Sequence, residues 1–176
     1  VPSGVEVSEN AAKICKEKGL NIFNCDIHHL KTKKKFDAIF LNDLIEHVAS
    51  PSVLIKIISE LLVSNGRIYI CTPNAKALIF QLGKILHFVF PNSKMLNDLF
   101  VVYHENYFSE FALKELFINC NYKIISHSFE EVDLKLFSRG WFLKLVLYTI
   151  FKFQKFLNLQ SNQVLIVEKN KCNEKK

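Results

Sequence analysis

The stretch FDAIFLNDLIEHVASP, residues 36–51, joins an apolar run to a charged turn and then to a helix start. Residues 36–41 form a nearly continuous apolar run, which is typical of a parallel strand buried on both faces. Ser50 and Pro51 are residue types preferred at an N-cap and at the first position of a helix. The turn between them carries groups that are either working parts of a site or the solvated end of a strand: Asp43, Glu46 and His47.

Strand-like and helix-like segments alternate on both sides of this stretch. Strands are predicted at residues 4–7, 20–25, 36–41, 67–71, 122–127 and 164–168, and helices at residues 8–18, from residue 51 to an Asn65-Gly66 stop, and from Ser109. This alternation predicts an α/β fold with a doubly wound, mostly parallel sheet and helices on both faces. Ligands of such folds bind at the carboxyl ends of the strands.

Length and composition favour one globular domain. The chain has 176 residues, of which 49% are hydrophobic, and no interior linker divides it. We expect a single domain over residues 1–170 and a Lys-rich tail over residues 171–176. The five cysteines form no CxxC pair, which favours free thiols and a cytoplasmic protein.

The formal net charge of +6 does not predict a nucleic-acid partner. The lysines collect at residues 31–35, along residues 144–155 and in the tail, without the interleaved aromatic residues of a nucleic-acid surface. We therefore expect no nucleic acid among the partners.

Two segments interrupt the alternation as predicted helical insertions, at about residues 75–103 and 130–159. In the second, one helical face is apolar and the opposite face is basic. The apolar face is Phe142, Val146, Ile150, Phe153 and Leu157, and the basic face is Lys144, Tyr148, Lys152 and Lys155. The helix over residues 142–157 is either a cap that shapes an acceptor pocket or a peripheral membrane contact for a lipid-like substrate.

Acids follow the first two predicted strands. Glu6 is placed to accept hydrogen bonds from ribose hydroxyls, or to stabilise a helix start. Asp26 is placed to accept from an exocyclic amine beside Ile27, or to bond its own backbone in a turn. The neighbouring Cys25 and His28 make a poor metal cage because adjacent residues on an extended chain point apart, so no metal site is predicted.

Several quoted pieces occur together in a recognisable order. They are GVEVSENAAKICKEKG, CDIHHL, FDAIFLNDLIEHVASP, ISELLVSNGRIYICTPN and HENYFSEFALKELFINCNYKI. In this order the chain resembles a class I S-adenosylmethionine-dependent methyltransferase with a Rossmann-like fold. It is most similar to the branch that includes the ubiquinone-biosynthesis O-methyltransferases and many small-molecule or glycan methyltransferases.

The resemblance implies a cofactor, S-adenosylmethionine, and roles for particular residues. The implied cofactor-binding residues are Glu6, Val7, Cys25, Asp26, Ile27, Asn42 and Asp43. The implied catalytic candidates are His47, in the EH pair, and His104, on the substrate side. The implied reaction is direct methyl transfer, with O-methylation of a small-molecule, quinone, lipid-linked or glycan acceptor as the expectation. For a hydroxyl acceptor, either histidine is a candidate base.

One departure from the family pattern is large. The family's first strand and its glycine-rich GxGxG turn would precede Val1. We therefore expect an N-terminally truncated chain that binds S-adenosylmethionine weakly or not at all.

Two other functions stay open on the sequence alone. One is a non-catalytic, methyltransferase-like interaction module. The other is a nicotinamide-dependent oxidoreductase on a similar sheet, which would also use an acid like Glu6 but leaves LIEHV and HENYFS unexplained.

Overall fold

A computed structural model describes residues 2–89, 104–131 and 141–170. In chain order its elements are β1 (Ser3–Val5), α1 (Glu9–Glu17), β2 (Asn21–Phe23), a 3₁₀ turn (Ile27–His29), β3 (Phe36–Asn42), a second 3₁₀ turn (Ile45–His47), α2 (Pro51–Leu61), β4 (Leu62–Pro73), α3 (Leu78–Val89), α4 (Glu110–Asn119), β5 (Tyr122–Glu130), α5 (Trp141–Phe156) and β6 (Asn162–Lys169).

The strands form two sheets. β1 and β2 pair in parallel, and the other four strands pair in the order β3-β4-β6-β5. β3 and β4 are parallel, whereas β6 is antiparallel to both β4 and β5, so β5 runs in the same direction as β3 and β4. The predicted mixed α/β fold with a mostly parallel sheet is confirmed.

The main core lies on one face of the four-stranded sheet. Ile68 and Ile70 of β4 pair in register with Val167 and Leu165 of β6, so all four side chains point to the same face. Helices α2 and α4 cover that face with buried side chains that include Leu54, Ile58, Leu113 and Phe117. Burying each side chain of this size contributes about 1.5–3 kcal/mol.

The prediction that β3 is buried on both faces is wrong. Ile39 and Leu41 pack in the main core, but Phe40, between them, is 66% exposed. The cause is that α2 and α4 both pack on the side of Leu41, and neither covers Phe40. The Phe40 ring instead contacts Tyr69 of β4, with 5.5 Å between ring centroids.

A cavity of about 380 Å³ separates the two sheets. Residues from β1 and β3 line it, among them Gly4, Val5, Ala38 and Ile39. β1 and β3 each have one edge that pairs with no strand in the described ranges. The further strand that the family resemblance implies for this fold stays a prediction.

Helix α2 begins at Pro51 as predicted, but its N-terminal capping and its last residue differ from the prediction. The Ser50 side chain makes no capping bond, and the Ser50 carbonyl accepts from Val53 N and Leu54 N. The helix ends before Asn65-Gly66, because pairing with Phe36 already draws Leu62 into β4. Asn65 makes its turn inside the strand, at a φ of 64°.

Helix α5 forms where a helix was predicted, but its buried face is different. Phe151 and Gln154 are buried, whereas Phe153 is 56% exposed and Leu157 is also exposed. Phe151 packs on Ala77 and Ile79 near the start of α3. The side chains of residues 141–147, with the predicted Phe142, Lys144 and Val146, and residues 90–103 and 132–140 lie outside what the structure describes.

A polar cluster explains why Gln154 faces inward. Its Nε2 donates to Glu131 Oε2 and, at 3.2 Å, to Ser161 Oγ, which itself donates to Glu131 Oε2 at 3.1 Å. Glu131 Oε1 and Gln154 Oε1 are buried, and neither has a hydrogen-bond partner within the described residues. Burial raises the pKa of Glu131, while the bonds from Gln154 and Ser161 and the nearby Lys155 act in the opposite direction.

We predict that Glu131→Gln stabilises the fold at neutral pH. The pKa of Glu131 is higher in the folded chain, so its contribution is full below the ordinary carboxyl pKa and is lost as pH rises through the folded value. A glutamine keeps one acceptor oxygen and adds an N–H that can donate to Gln154 Oε1. Urea unfolding at pH 7 should show a gain of roughly 1 kcal/mol, the order of one buried hydrogen bond, and a smaller gain at pH 4. The exposed neighbour Glu130→Gln is the control, and an equal gain in both variants would contradict the prediction.

Candidate active site

The predicted cofactor residues lie at the carboxyl ends of three strands. Glu6 follows β1, Asp26 follows β2, and Asn42 ends β3. These three strand ends lie side by side, because residues from each of them line the cavity between the sheets. The lining residues are Val7, Asp26, Ile27, Leu41 and Leu44.

Glu6 makes the helix-start contact that was one of the two roles considered for it, and its role toward a ribose stays a prediction. Its Oε1 accepts from Ser8 N at 2.7 Å, in front of α1, as a helix-start acid does. Its own amide donates to Phe23 O at 3.0 Å, and Asn24 Nδ2 donates to Glu6 O at 2.8 Å. The backbone is thereby fixed, and the second carboxylate oxygen can accept from a ligand hydroxyl.

Asp26 makes the turn that was the alternative to a ligand role. Its Oδ1 accepts from His28 N at 2.8 Å and caps the 3₁₀ turn Ile27–His29. Cys25 beside it is a partly buried free thiol. Ile27 packs against the main core and lines the cavity, so an apolar side chain is available there for a planar ring.

The end of β3 is held by β4. Asn42 pairs with Cys71, and Asp43 N donates to Cys71 O at 3.0 Å. Asp43 has a φ of 47°, a left-handed conformation that aspartate tolerates better than most side chains. Burial, with the nearby Asp43, raises the pKa of the Cys71 thiol to about 11, which disfavours the nucleophilic thiolate at neutral pH.

Glu46 is buried, although the sequence placed it on the rim of the site. It is 2% exposed, and its Oε2 accepts from Thr72 Oγ at 2.9 Å. Its Oε1 is also buried and has no hydrogen-bond partner in the part of the chain that the structure describes. Sequence analysis did not identify Thr72, although its alternation with Ile68 and Ile70 on β4 is a signal: a hydroxyl in phase with core positions needs a buried partner.

The structure brings the two candidate histidines together. The ring centroids of His47 and His104 are 4.7 Å apart, and those of His104 and Tyr107 are 5.7 Å apart. Burial and the neighbouring His47 lower the pKa of His104, against the opposite influence of Glu46 and Asp43. A neutral imidazole at this edge of the sheet can accept a proton.

The same cluster can also hold a metal ion. One ligand atom each from Glu46, His47 and His104 lie within 4.8 Å of one another. Histidine nitrogens and a carboxylate oxygen suit a divalent transition metal. The sequence-based expectation of no metal site stays a prediction.

Comparison with known proteins gives one family. A family model described as a methyltransferase domain matches residues 3–127. No curated protein matched the chain.

Solved structures of S-adenosylmethionine-dependent methyltransferases share the fold. One from Archaeoglobus fulgidus has a TM-score of 0.60 and 20% identity, over 95% of this chain and 75% of that one. A possible histamine N-methyltransferase from Thermotoga maritima has a TM-score of 0.61 and 16% identity, over 97% and 73%. Magnesium protoporphyrin IX methyltransferase from Synechocystis PCC 6803, with bound SAH, has a TM-score of 0.62 and 12% identity, over 96% and 64%.

We predict that Thr72→Val destabilises the fold by about 1–3 kcal/mol, because the isosteric change leaves the buried Glu46 carboxylate without its hydroxyl donor. Thr72→Ser keeps the hydroxyl and should retain most of the stability. Urea unfolding at pH 7 measures both. A Thr72→Val protein as stable as the parent would show that the Glu46–Thr72 bond is not needed.

Proposed function

This chain belongs to the methyltransferase domain family, and on that premise we propose that it methylates a hydroxyl group of a small-molecule, lipid-linked or glycan acceptor. S-adenosylmethionine is the expected cofactor. We also propose membership of the branch that includes the ubiquinone-biosynthesis O-methyltransferases, on the strength of LNDLIEHV and HENYFS.

The observation that carries the proposal is the position of the histidine pair. His47 lies in the turn that follows β3, close in sequence to Asn42 and Asp43. The His104 ring packs against the His47 ring. In a sheet of this kind the carboxyl edge is where a ligand binds. A pair of imidazoles at that edge supports proton transfer beside the cofactor.

The proposed cofactor contacts follow the order of the strands. The free carboxylate oxygen of Glu6 accepts from the ribose hydroxyls, with Val7 beside it. Asp26 and Ile27 lie against the adenine, close to Cys25. Asn42 and Asp43 lie against the methionine end.

In the proposed reaction the chain orients the acceptor and removes its proton. S-adenosylmethionine supplies a methyl group activated on a sulfonium sulfur. The bound cofactor would supply the methyl group that replaces the hydroxyl proton of the acceptor, and that proton would pass to an imidazole nitrogen of His104 or His47. Burial favours His104 in the neutral form that this step requires.

A peripheral membrane contact through α5 is part of the proposal, within a cytoplasmic setting. No helix in the described residues is long and apolar enough to cross a membrane. The exposed side of α5 alternates cations with aromatic rings: Lys152 lies over the Tyr148 ring at 4.9 Å, and Phe153 and Phe156 are exposed. Aromatic and basic side chains together suit the surface of an anionic bilayer.

We predict that His104→Asn and His47→Asn lower kcat, and that the larger loss, about 100- to 10,000-fold, identifies the base. The assay is transfer of labelled methyl from S-adenosylmethionine to a panel of phenols, quinols and glycans, in the full-length protein. The exposed His29→Asn is the control. If neither the parent nor any variant transfers a methyl group to any acceptor in the panel, the result would favour the non-catalytic module.

We predict that Lys152→Glu with Lys155→Glu reduces co-sedimentation with vesicles that contain anionic lipid, because the basic side of α5 would lose its attraction. Lys33→Glu with Lys34→Glu makes the same charge change elsewhere and is the matched control. Equal loss in both pairs would assign the binding to net charge, and no binding by the parent would end the membrane proposal.

A further inference from the structure

The segment that carries His104 is fixed by hydrogen bonds to the turn that carries His47. Glu105 N and Asn106 N donate to Glu46 O at 2.9 and 3.0 Å, and Asn106 Nδ2 donates to Val48 O at 2.7 Å. The described part of this segment, residues 104–109, precedes α4 and belongs to no helix or extended strand. These three bonds join the start of the segment to the turn. Its far end is anchored separately, because Phe108 O accepts from Ala75 N at 2.9 Å and from Gln163 Nε2 at 2.8 Å.

The two accepting carbonyls lie on either side of His47 in the sequence. Among the described residues, only Asn106 bonds to both: its backbone amide donates to Glu46 O and its side-chain amide donates to Val48 O. One hydrogen bond fixes a distance but leaves rotation about itself free. Two bonds from one residue, to carbonyls before and after His47, also fix the orientation of the segment relative to the turn.

Only one of the three bonds depends on the identity of a side chain. The backbone donors of Glu105 and Asn106 survive any substitution except proline. The bond to Val48 O requires a side-chain donor, and Asn106 is partly buried there, whereas the Glu105 side chain is exposed. An aspartate at position 106 would turn an acceptor toward a carbonyl acceptor and lose the bond.

We infer that Asn106 is a positioning residue for the methyl-transfer site. Its hydrogen bonds to the backbone on both sides of His47 set the separation and the angle of the His47 and His104 rings. The inference rests on the proposed function, in which this pair handles the proton of the acceptor. Asn106 itself need not touch the cofactor or the acceptor. It acts by holding the His104 ring at a centroid separation of 4.7 Å and an interplanar angle of 68° from the His47 ring.

The direct test is the nuclear Overhauser cross-peak between ring protons of His47 and His104, recorded on the full-length protein with a chelator present. The parent should show the cross-peak. Asn106→Ala and Asn106→Asp should lose most of it, while the thermal unfolding curve stays cooperative. Glu105→Ala, which keeps its backbone bond to Glu46 O, should retain it.

Kinetics provide the second readout. Asn106→Asp should lower kcat about 10- to 100-fold, the order of a displaced reacting group, with KM for S-adenosylmethionine unchanged. Asn106→Asp keeps the volume of the side chain, so this variant still tests the positioning role if Asn106→Ala does not fold.

The outcomes separate the inference from the proposed function. A cross-peak retained in Asn106→Asp, or lost equally in Glu105→Ala, overturns the positioning role, whatever the parent's activity. A cross-peak lost only in the Asn106 variants, in a protein that transfers no methyl group, keeps the structural role of Asn106 and rejects the proposed function.

Discussion

The buried carboxylate of Glu46 is the constraint on which the site depends. A carboxylate removed from water needs donors, and in the described residues its side chain has one, the Thr72 hydroxyl. The backbone carbonyl of Glu46 meanwhile accepts from both Glu105 and Asn106. One residue therefore joins three parts of the chain: the turn after β3, the last residues of β4 and the segment that leads into α4.

The fold provides this junction by ordinary strand pairing. β3 and β4 run in parallel and in register up to Asn42 and Cys71, and Asp43 then turns the chain away with a positive φ. The main core packs between the sheet and helices α2 and α4, so polar groups collect at the carboxyl edge of the strands. Glu6, Asp26 and the histidine pair lie at that edge because parallel strands end there together.

The sequence predicted the elements well and their surroundings less well. Alternation of apolar segments and helix starts was enough to predict the α/β fold and the helix starts at Ser8 and Ser109, where both serines cap their helices. It did not predict which face of β3 is covered, because an apolar run does not show on which side the helices pack. It also gave α5 the wrong buried face, because Gln154 is held inward by Glu131 and Ser161, which are distant in sequence.

The site was predictable in its members and not in its geometry. Motif resemblance indicated His47 and His104, but only the fold shows that their rings touch. Thr72 and Asn106 carry no motif, since each acts through a partner that is remote in the chain. Asp26 shows the reverse case, in which a residue with an implied ligand role also has a local turn that explains its presence.

The most direct measurement is a backbone-amide chemical-shift map of the full-length protein as S-adenosylhomocysteine is added. If the chain is a methyltransferase that binds its cofactor at the carboxyl edge, the largest shifts will fall on residues after β1, β2 and β3, including Glu6, Ile27 and Asp43. Strand β5, which is separated from β3 by β4 and β6, will change little. Saturable shifts elsewhere, with none at those three strand ends, would contradict this location for the cofactor, and an absence of shifts would contradict cofactor binding.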